Sequence, residues 1–168
     1  IEESQKGTDQ SSIITNSREN SDDSLQGLIE AETVDEIRAA LRRMGKNDNI
    51  SEEYAVYFHR GSIYYEHKEY KRALSDYNRV IQIQPDNAFA FVNRGLVYNH
   101  LGEYQKALDD YSQAIQIQPD NANAFVNRGN AYNNLKQYQQ ALDDYSQAIQ
   151  IQPDNANAFV NRGNAYNN

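Results

Sequence analysis

The chain has 168 residues, a formal net charge of −8, and neither Cys nor Trp. Without Cys it has no disulfides and no thiolate metal sites, at this length there is room for one domain, and no apolar run approaches the ~18 residues a membrane helix needs. The acidity is uneven: residues 1–53 hold 13 acids against 6 bases, and residues 54–168 hold 11 against 10. An almost neutral body behind an acidic leader is a poor match for nucleic acid, which asks for a clustered basic surface.

Residues 1–23 are rich in Ser, Asn, Gln, Glu and Asp, with one short apolar pair at Ile13 and Ile14. Such a stretch buries too little apolar surface to offset the entropy of ordering, so a disordered acidic and polar leader is expected. The opening IEESQKGTDQ lacks the basic-then-apolar pattern of a secretion signal, and a cytoplasmic location is the default expectation. The chain opens on Ile1 and stops at Asn168 inside a repeat, so a piece of a longer array is expected. Residues 24–50 change character. Val34, Ile37, Leu41 and Met44 recur at helical spacing, Thr33 and Glu36 have the form of a capping box, and Gly45 is a natural stop. A short helix near 24–31 and a longer one over 34–44 are expected, serving as an N-terminal cap with a linker behind it. Ser51 is expected to cap the next helix.

From residue 54 onward the chain repeats itself. Residues 87–120 and 121–154 are identical at 27 of 34 positions, and residues 155–168 copy residues 121–134 at every position. A looser copy occupies 54–87. A fixed period of this length implies a stacked array rather than one closed core. Within a unit, Phe91, Gly95, Tyr98 and Leu101 follow steps of three and four, and so do Tyr104, Ala107, Leu108, Tyr111, Ala114 and Ile115. Gly102 permits the turn between the two runs, Pro119 ends the second, and Asp120 and Asn121 offer oxygens to the next helix start. The predicted helices cover 52–67, 70–83, 88–101, 104–117, 122–135, 138–151 and 156 onward. The repeats divide as 54–87, 88–121, 122–155 and a partial fourth at 156–168.

The pattern Phe91-x-x-Arg94-Gly95-x-x-Tyr98, then Ala107-x-x-x-Tyr111, Ala114 and Pro119, resembles the tetratricopeptide repeat. It is similar to an Arg-Gly variant of that repeat, of the kind found in longer bacterial-type arrays. An aromatic other than Trp opens each unit (Tyr57, Phe91, Phe125, Phe159), Arg60, Arg94, Arg128 and Arg162 stand where Leu is usual, and Tyr77, Tyr111 and Tyr145 replace Phe. The resemblance implies an all-α fold: a right-handed superhelical solenoid of antiparallel helix pairs. It also implies that Gly95 and Gly129 sit beside Ala107 and Ala141 of the partner helix, where a side chain would hold the helices apart, as Gly61 would beside Ala73.

Arg60, Arg94 and Arg128 each recur with Asp76, Asp110 and Asp144, always 16 residues later. That spacing places them on facing helices of one hairpin and predicts an ion pair inside each repeat; the plain alternative is two solvated charges. No catalytic constellation emerges. His59, His67 and His100 have no ligand spacing, and His67 is read as a partly buried filler. Asp109 with Asp110, and Asp143 with Asp144, are helix neighbours that point apart. Ser75, Ser112 and Ser146 have no His near them. The expectation is a non-enzyme with no cofactor and no metal.

Asn, a weak helix former, is concentrated in the first helix of each unit. Asn93, Asn99, Asn127, Asn130, Asn133, Asn161 and Asn164 are the candidates for binding, against the alternative of a solvated stripe multiplied by duplication. The resemblance implies that these helices line a concave groove that receives a protein or an extended peptide. It also implies a ladder at Asn93, Asn127 and Asn161 like that of the O-linked N-acetylglucosamine transferase repeats. Chaperone-binding members of the family grip a terminal carboxylate with groove cations, but here Val92, Val126 and Val160 and the three ladder Asn occupy those positions. The function expected is a protein–protein interaction module with a scaffold or adaptor role. The alternative is the recognition arm of a larger enzyme, and self-association through repeat ends is a third expectation. The last helix is expected to be the weak end, packing through Phe159, Gly163 and Tyr166.

Overall fold

The computed structural model describes residues 25–45 and 52–167. The leader 1–23, the linker after Gly45, the Ser51 cap and Asn168 lie outside the described residues. Two compact units are present, Ile1–Val56 and Tyr57–Asn168.

In the first unit, helix α1 covers residues 25–29 and α2 runs Val34–Arg43. The Thr33 hydroxyl accepts from the Glu36 amide at 3.2 Å, and the Glu36 carboxylate accepts from the Thr33 amide at 3.0 Å. That reciprocal capping box satisfies amides that otherwise have no partner. It also pulls the Glu36 carboxyl below its ordinary value, through the backbone bonds of Thr33 and Glu32. Gly45 takes the left-handed conformation, φ +66°, just past the helix end. Leu28, Ala31, Ile37, Ala40 and Leu41 are buried.

The second unit takes up α3 (Glu53–Glu66) from Tyr57, and the hairpins follow in order: α3 with α4 (Tyr70–Ile83), α5 (Ala88–His100) with α6 (Tyr104–Ile117), α7 (Ala122–Asn134) with α8 (Tyr138–Ile151), then α9 (Ala156–Tyr166). Helix ends fall within one residue of the expected positions wherever Pro, Asn or an apolar step marks them. Asn87, Asn121 and Asn155 cap α5, α7 and α9, each accepting from the amide three residues on at 3.0 to 3.1 Å. The Asn, rather than the preceding Asp, is thus the capping residue. Gly102 turns between α5 and α6 at φ +76°, while Lys68 and Lys136 make the equivalent turns at +62° and +61°. A side chain in that conformation costs roughly 1–2 kcal/mol, and the sequence gives no sign of it.

Each hairpin closes on a tyrosine: Tyr77, Tyr111 and Tyr145 are at most 1% exposed. The helix glycines serve these rings. A Cβ on Gly95 or Gly129 would stand 2.7 or 2.6 Å from the Tyr111 or Tyr145 ring, and one on Gly61 3.0 Å from Tyr77. The atoms nearest these glycines belong to the tyrosines four residues beyond the expected neighbours Ala73, Ala107 and Ala141. Both types lie on the inner face of the second helix, and the larger ring reaches across first. His67 is corrected: it sits exposed in the α3–α4 turn. In α9, Phe159, Gly163 and Tyr166 are exposed, and Ala158 and Ala165 are buried instead. The two alanines join the apolar cluster of Ala141, Tyr145 and Ala148.

Burial pushes the Tyr77 and Tyr145 hydroxyls up to about 12, and Tyr111 further still. The unfolded chain loses the same protons near pH ~10. The folded state thus binds more protons above that pH, so stability is complete below it and falls as pH rises through the folded values. The expected slope is up to about 1.4 kcal/mol per pH unit for each ring. Urea midpoints flat below pH ~10 and falling steeply above it are the expected result; midpoints unchanged to pH ~12 would contradict it.

Candidate functional site

The first helices of successive repeats lie side by side, α5 against α7 and α7 against α9. They present one register of residues per repeat. At the ladder position stand His59, Asn93, Asn127 and Asn161; after the helix glycine stand Ser62, Leu96, Asn130 and Asn164; near the C-terminal turn stand Tyr65, Asn99, Asn133 and Asn167.

The cations of these helices turn the other way. Arg60, Arg94 and Arg128 each make a two-pronged pair with Asp76, Asp110 and Asp144, Nε and Nη2 donating to the two carboxylate oxygens at 2.6 to 2.8 Å. The Asp residues are 2 to 5% exposed. Burial outweighs the arginine and holds all three carboxyls above the usual carboxylate range. The remaining guanidinium nitrogen reaches the preceding repeat: Arg94 donates to Asn78 at 2.6 Å, Arg128 to Ser112 at 3.2 Å and Arg162 to Ser146 at 3.4 Å. The guanidinium planes also lie against Phe91, Phe125 and Phe159, 5.4 to 5.5 Å from the ring centres. One residue therefore joins two helices of its own hairpin to a third, which explains why Arg serves where the repeat usually has Leu.

The ladder Asn are all half-exposed, and they differ in what they already do. The Asn93 amide donates to the Phe89 carbonyl at 2.9 Å. The Asn161 amide donates to Asn130 Oδ1 at 3.0 Å, an oxygen that also accepts from the Tyr145 hydroxyl at 2.8 Å. Asn127 makes no side-chain hydrogen bond among the described residues. Asn134 donates to Asn99 across the helix pair at 3.3 Å, the same contact that Tyr65 and His100 make with rings 5.4 Å apart one repeat earlier. The buried Asn133 Oδ1 has no hydrogen-bond partner among the described residues. Two open depressions of about 450 and 330 Å³ flank Phe89, which is 59% exposed, beside the loops at Asp86 and Asp120. None of the ladder Asn lines them. Among the described residues no group of acidic or His side chains could hold a metal ion, and no helix is long and apolar enough to cross a membrane.

Stacked antiparallel hairpins of one repeated unit, with one register of residues lined up along the first helices, define an all-α repeat solenoid. Tetratricopeptide repeat family models match residues 61–126 and 122–155, and the chain belongs to the tetratricopeptide repeat family. No curated protein matches it. Among solved structures it is similar to the Arabidopsis OM64 TPR domain, with 27% identity over 68% of this chain and 94% of that one, at a TM-score of 0.66. It is similar also to the second TPR domain of human RPAP3, solved in complex with the HSP70 peptide SGPTIEEVD, with 27% identity over 66% and 92% and a TM-score of 0.63. YrrB, described as a TPR protein with an unusual peptide-binding site, shares the fold at 24% identity over 77% and 64%, with a TM-score of 0.65.

Proposed function

We propose that the face of α3, α5, α7 and α9 binds an extended segment of a partner protein through its backbone, making the chain a non-catalytic interaction module of the scaffold type. One observation carries this reading: an Asn stands on the same register of three successive first helices, half-exposed, with an acceptor, a donor or both left for a ligand. An Asn side chain can answer both the N–H and the C=O of an extended chain, so partner side chains matter less than partner extension. Phe89, Leu96 and Tyr65 add apolar contact toward the earlier repeats.

The second TPR domain of RPAP3 is solved in complex with the peptide SGPTIEEVD. Among the described residues of this chain, the arginines of the first helices are turned into the hairpins and onto Asp, Ser and aromatic partners rather than left for a terminal carboxylate. Its ligand is accordingly an internal segment rather than a C-terminus.

The test pans a phage-displayed library of random dodecapeptides on wild type and on the Asn93→Ala/Asn127→Ala/Asn161→Ala triple variant, with a thermal melt of each. Hydrogen bonds of ~0.5–1.5 kcal/mol apiece predict a retention loss of about tenfold or more at an unchanged melting temperature. A folded triple variant that retains every selected peptide would leave the Asn register as a solvated stripe. The peptide SGPTIEEVD and its C-terminal amide should be indistinguishable as ligands; a clear preference for the free carboxylate would restore the terminal grip.

A further inference from the structure

The residue after the helix glycine decides what the ladder can offer. In the third repeat it is Asn130, and its Oδ1 gathers two donors, the hydroxyl of the buried Tyr145 and the amide of Asn161 in the next repeat. Tyr145, Asn130 and Asn161 thus form a relay from the hairpin core to the ligand face. The relay commits one of the two Asn161 amide protons and holds the carboxamide in the plane of that bond. In the first repeat the equivalent residue is Ser62. Its hydroxyl accepts from Tyr77 at 3.3 Å and donates to the Phe58 carbonyl at 3.0 Å. Ser62 makes no bond to Asn93, and the Asn93 amide folds back onto Phe89 instead.

In the second repeat the residue is Leu96, which can accept nothing. Two consequences appear at once. The Tyr111 hydroxyl is buried with no partner, the exception among three tyrosines at one repeat position. Asn127, which the register places where Asn161 stands one repeat later, has neither its donor nor its acceptor engaged. A single apolar residue explains both.

We infer that Asn127 is the rung that sets the register of a bound peptide, because Leu96 interrupts the internal relay and leaves the Asn127 carboxamide able to pair both with an N–H and with a C=O of the ligand backbone. Asn93 and Asn161 each spend one of their two amide protons inside the protein, and that bond fixes the plane of the carboxamide, so Asn127 is the rung that can turn oxygen and nitrogen together to the ligand. The site therefore holds an extended backbone by one freely oriented rung flanked by two whose orientation is set internally. Leu96 acts as a positioning residue and works through Asn127. This assignment rests on the backbone-binding reading above.

The experiment measures affinity for the best-retained dodecapeptide from the wild-type selection, using fluorescein-labelled peptide and the full chain. Asn127→Ala should weaken binding about tenfold or more, and Asn93→Ala and Asn161→Ala about threefold each. Leu96→Asn should weaken binding about as much as Asn127→Ala, since the introduced carboxamide can take the Asn127 donor as Asn130 takes that of Asn161. Leu96→Ser loses the same apolar contact but satisfies the tyrosine and leaves the ladder Asn alone, as Ser62 does, so it should bind at least about threefold more tightly than Leu96→Asn. Nitrogen-15 spectra add a readout independent of ligand: the Asn127 side-chain amide protons should exchange fast in wild type and more slowly in Leu96→Asn. Equal losses at all three Asn, or Leu96→Asn binding as wild type does, would overturn the assignment while sparing the backbone-binding reading. If Leu96→Asn does not fold, the three alanine variants decide. A wild-type chain that retains no more phage than the triple variant would sink both.

Discussion

Asp144→Leu is expected to destabilise the protein by about 3–5 kcal/mol, among the largest effects any single change here can have. Asp144 is 5% exposed and receives two charge-assisted bonds from Arg128 at 2.7 and 2.8 Å. Removing it strands a guanidinium that is itself 20% exposed, with only Ser112 and two aromatic rings left for company. Arg128→Leu should cost a similar amount, since it leaves the carboxylate buried alone. The double variant should lose far less than the two together, because burial already presses against the Asp144 charge and two apolar side chains in its place relieve that cost. Denaturant unfolding of all four chains gives the coupling directly. Strict additivity would mean that the pair is not a unit.

Gly129→Ala and Gly163→Ala should have opposite signs, although the two glycines occupy the same position of identical sequence. At Gly129 the added methyl would meet the Tyr145 ring at 2.6 Å, and that ring is 1% exposed and has nowhere to go. Overpacking of this kind costs about 1–3 kcal/mol, against ~1 kcal/mol recovered from helix propensity, and a net loss of about 2 kcal/mol is expected at the upper end. At Gly163 no packing neighbour among the described residues lies within 4 Å of the added methyl, so only the propensity gain remains, about 0.5–1 kcal/mol. Thermal melts of both variants decide it. A destabilised Gly163→Ala would mean that something packs on α9.

The fold was close to fully legible because the chain states its own period. Gly102, Pro119 and the capping Asn fall where helices turn, stop and start, so the ends of α5 to α8 follow from residue type. The Arg–Asp pair was legible for a related reason, since two unusual charges recur at a constant 16 residues. Sequence spacing could not say which inner side chain of the second helix meets the glycine. Ala107 and Tyr111 both point inward, and the length of the ring decides. Lys68 and Lys136 give no sign of their left-handed backbone, because the hairpin geometry imposes it. The Asn residues were visible as a set, but their inequality was not. That depends on which side chain each amide reaches, and the one available clue was the varying residue after each glycine: Ser62, Leu96, Asn130, Asn164. Leu96 reads in the sequence as an apolar contact, and its bearing on Tyr111 and Asn127 becomes visible only beside the polar partners that the other repeats supply.

The most direct measurement is the nuclear magnetic resonance footprint of a selected dodecapeptide on the nitrogen-15-labelled chain. The account predicts that the largest shift changes fall on side-chain amides of the first helices, with Asn127 foremost and Asn93 and Asn161 beside it, while the outward residues of α4, α6 and α8, such as Asn78, Gln105 and Gln139, stay unchanged. A footprint centred on α4, α6 and α8, or on the depressions flanking Phe89 with Asn127 unmoved, would contradict it.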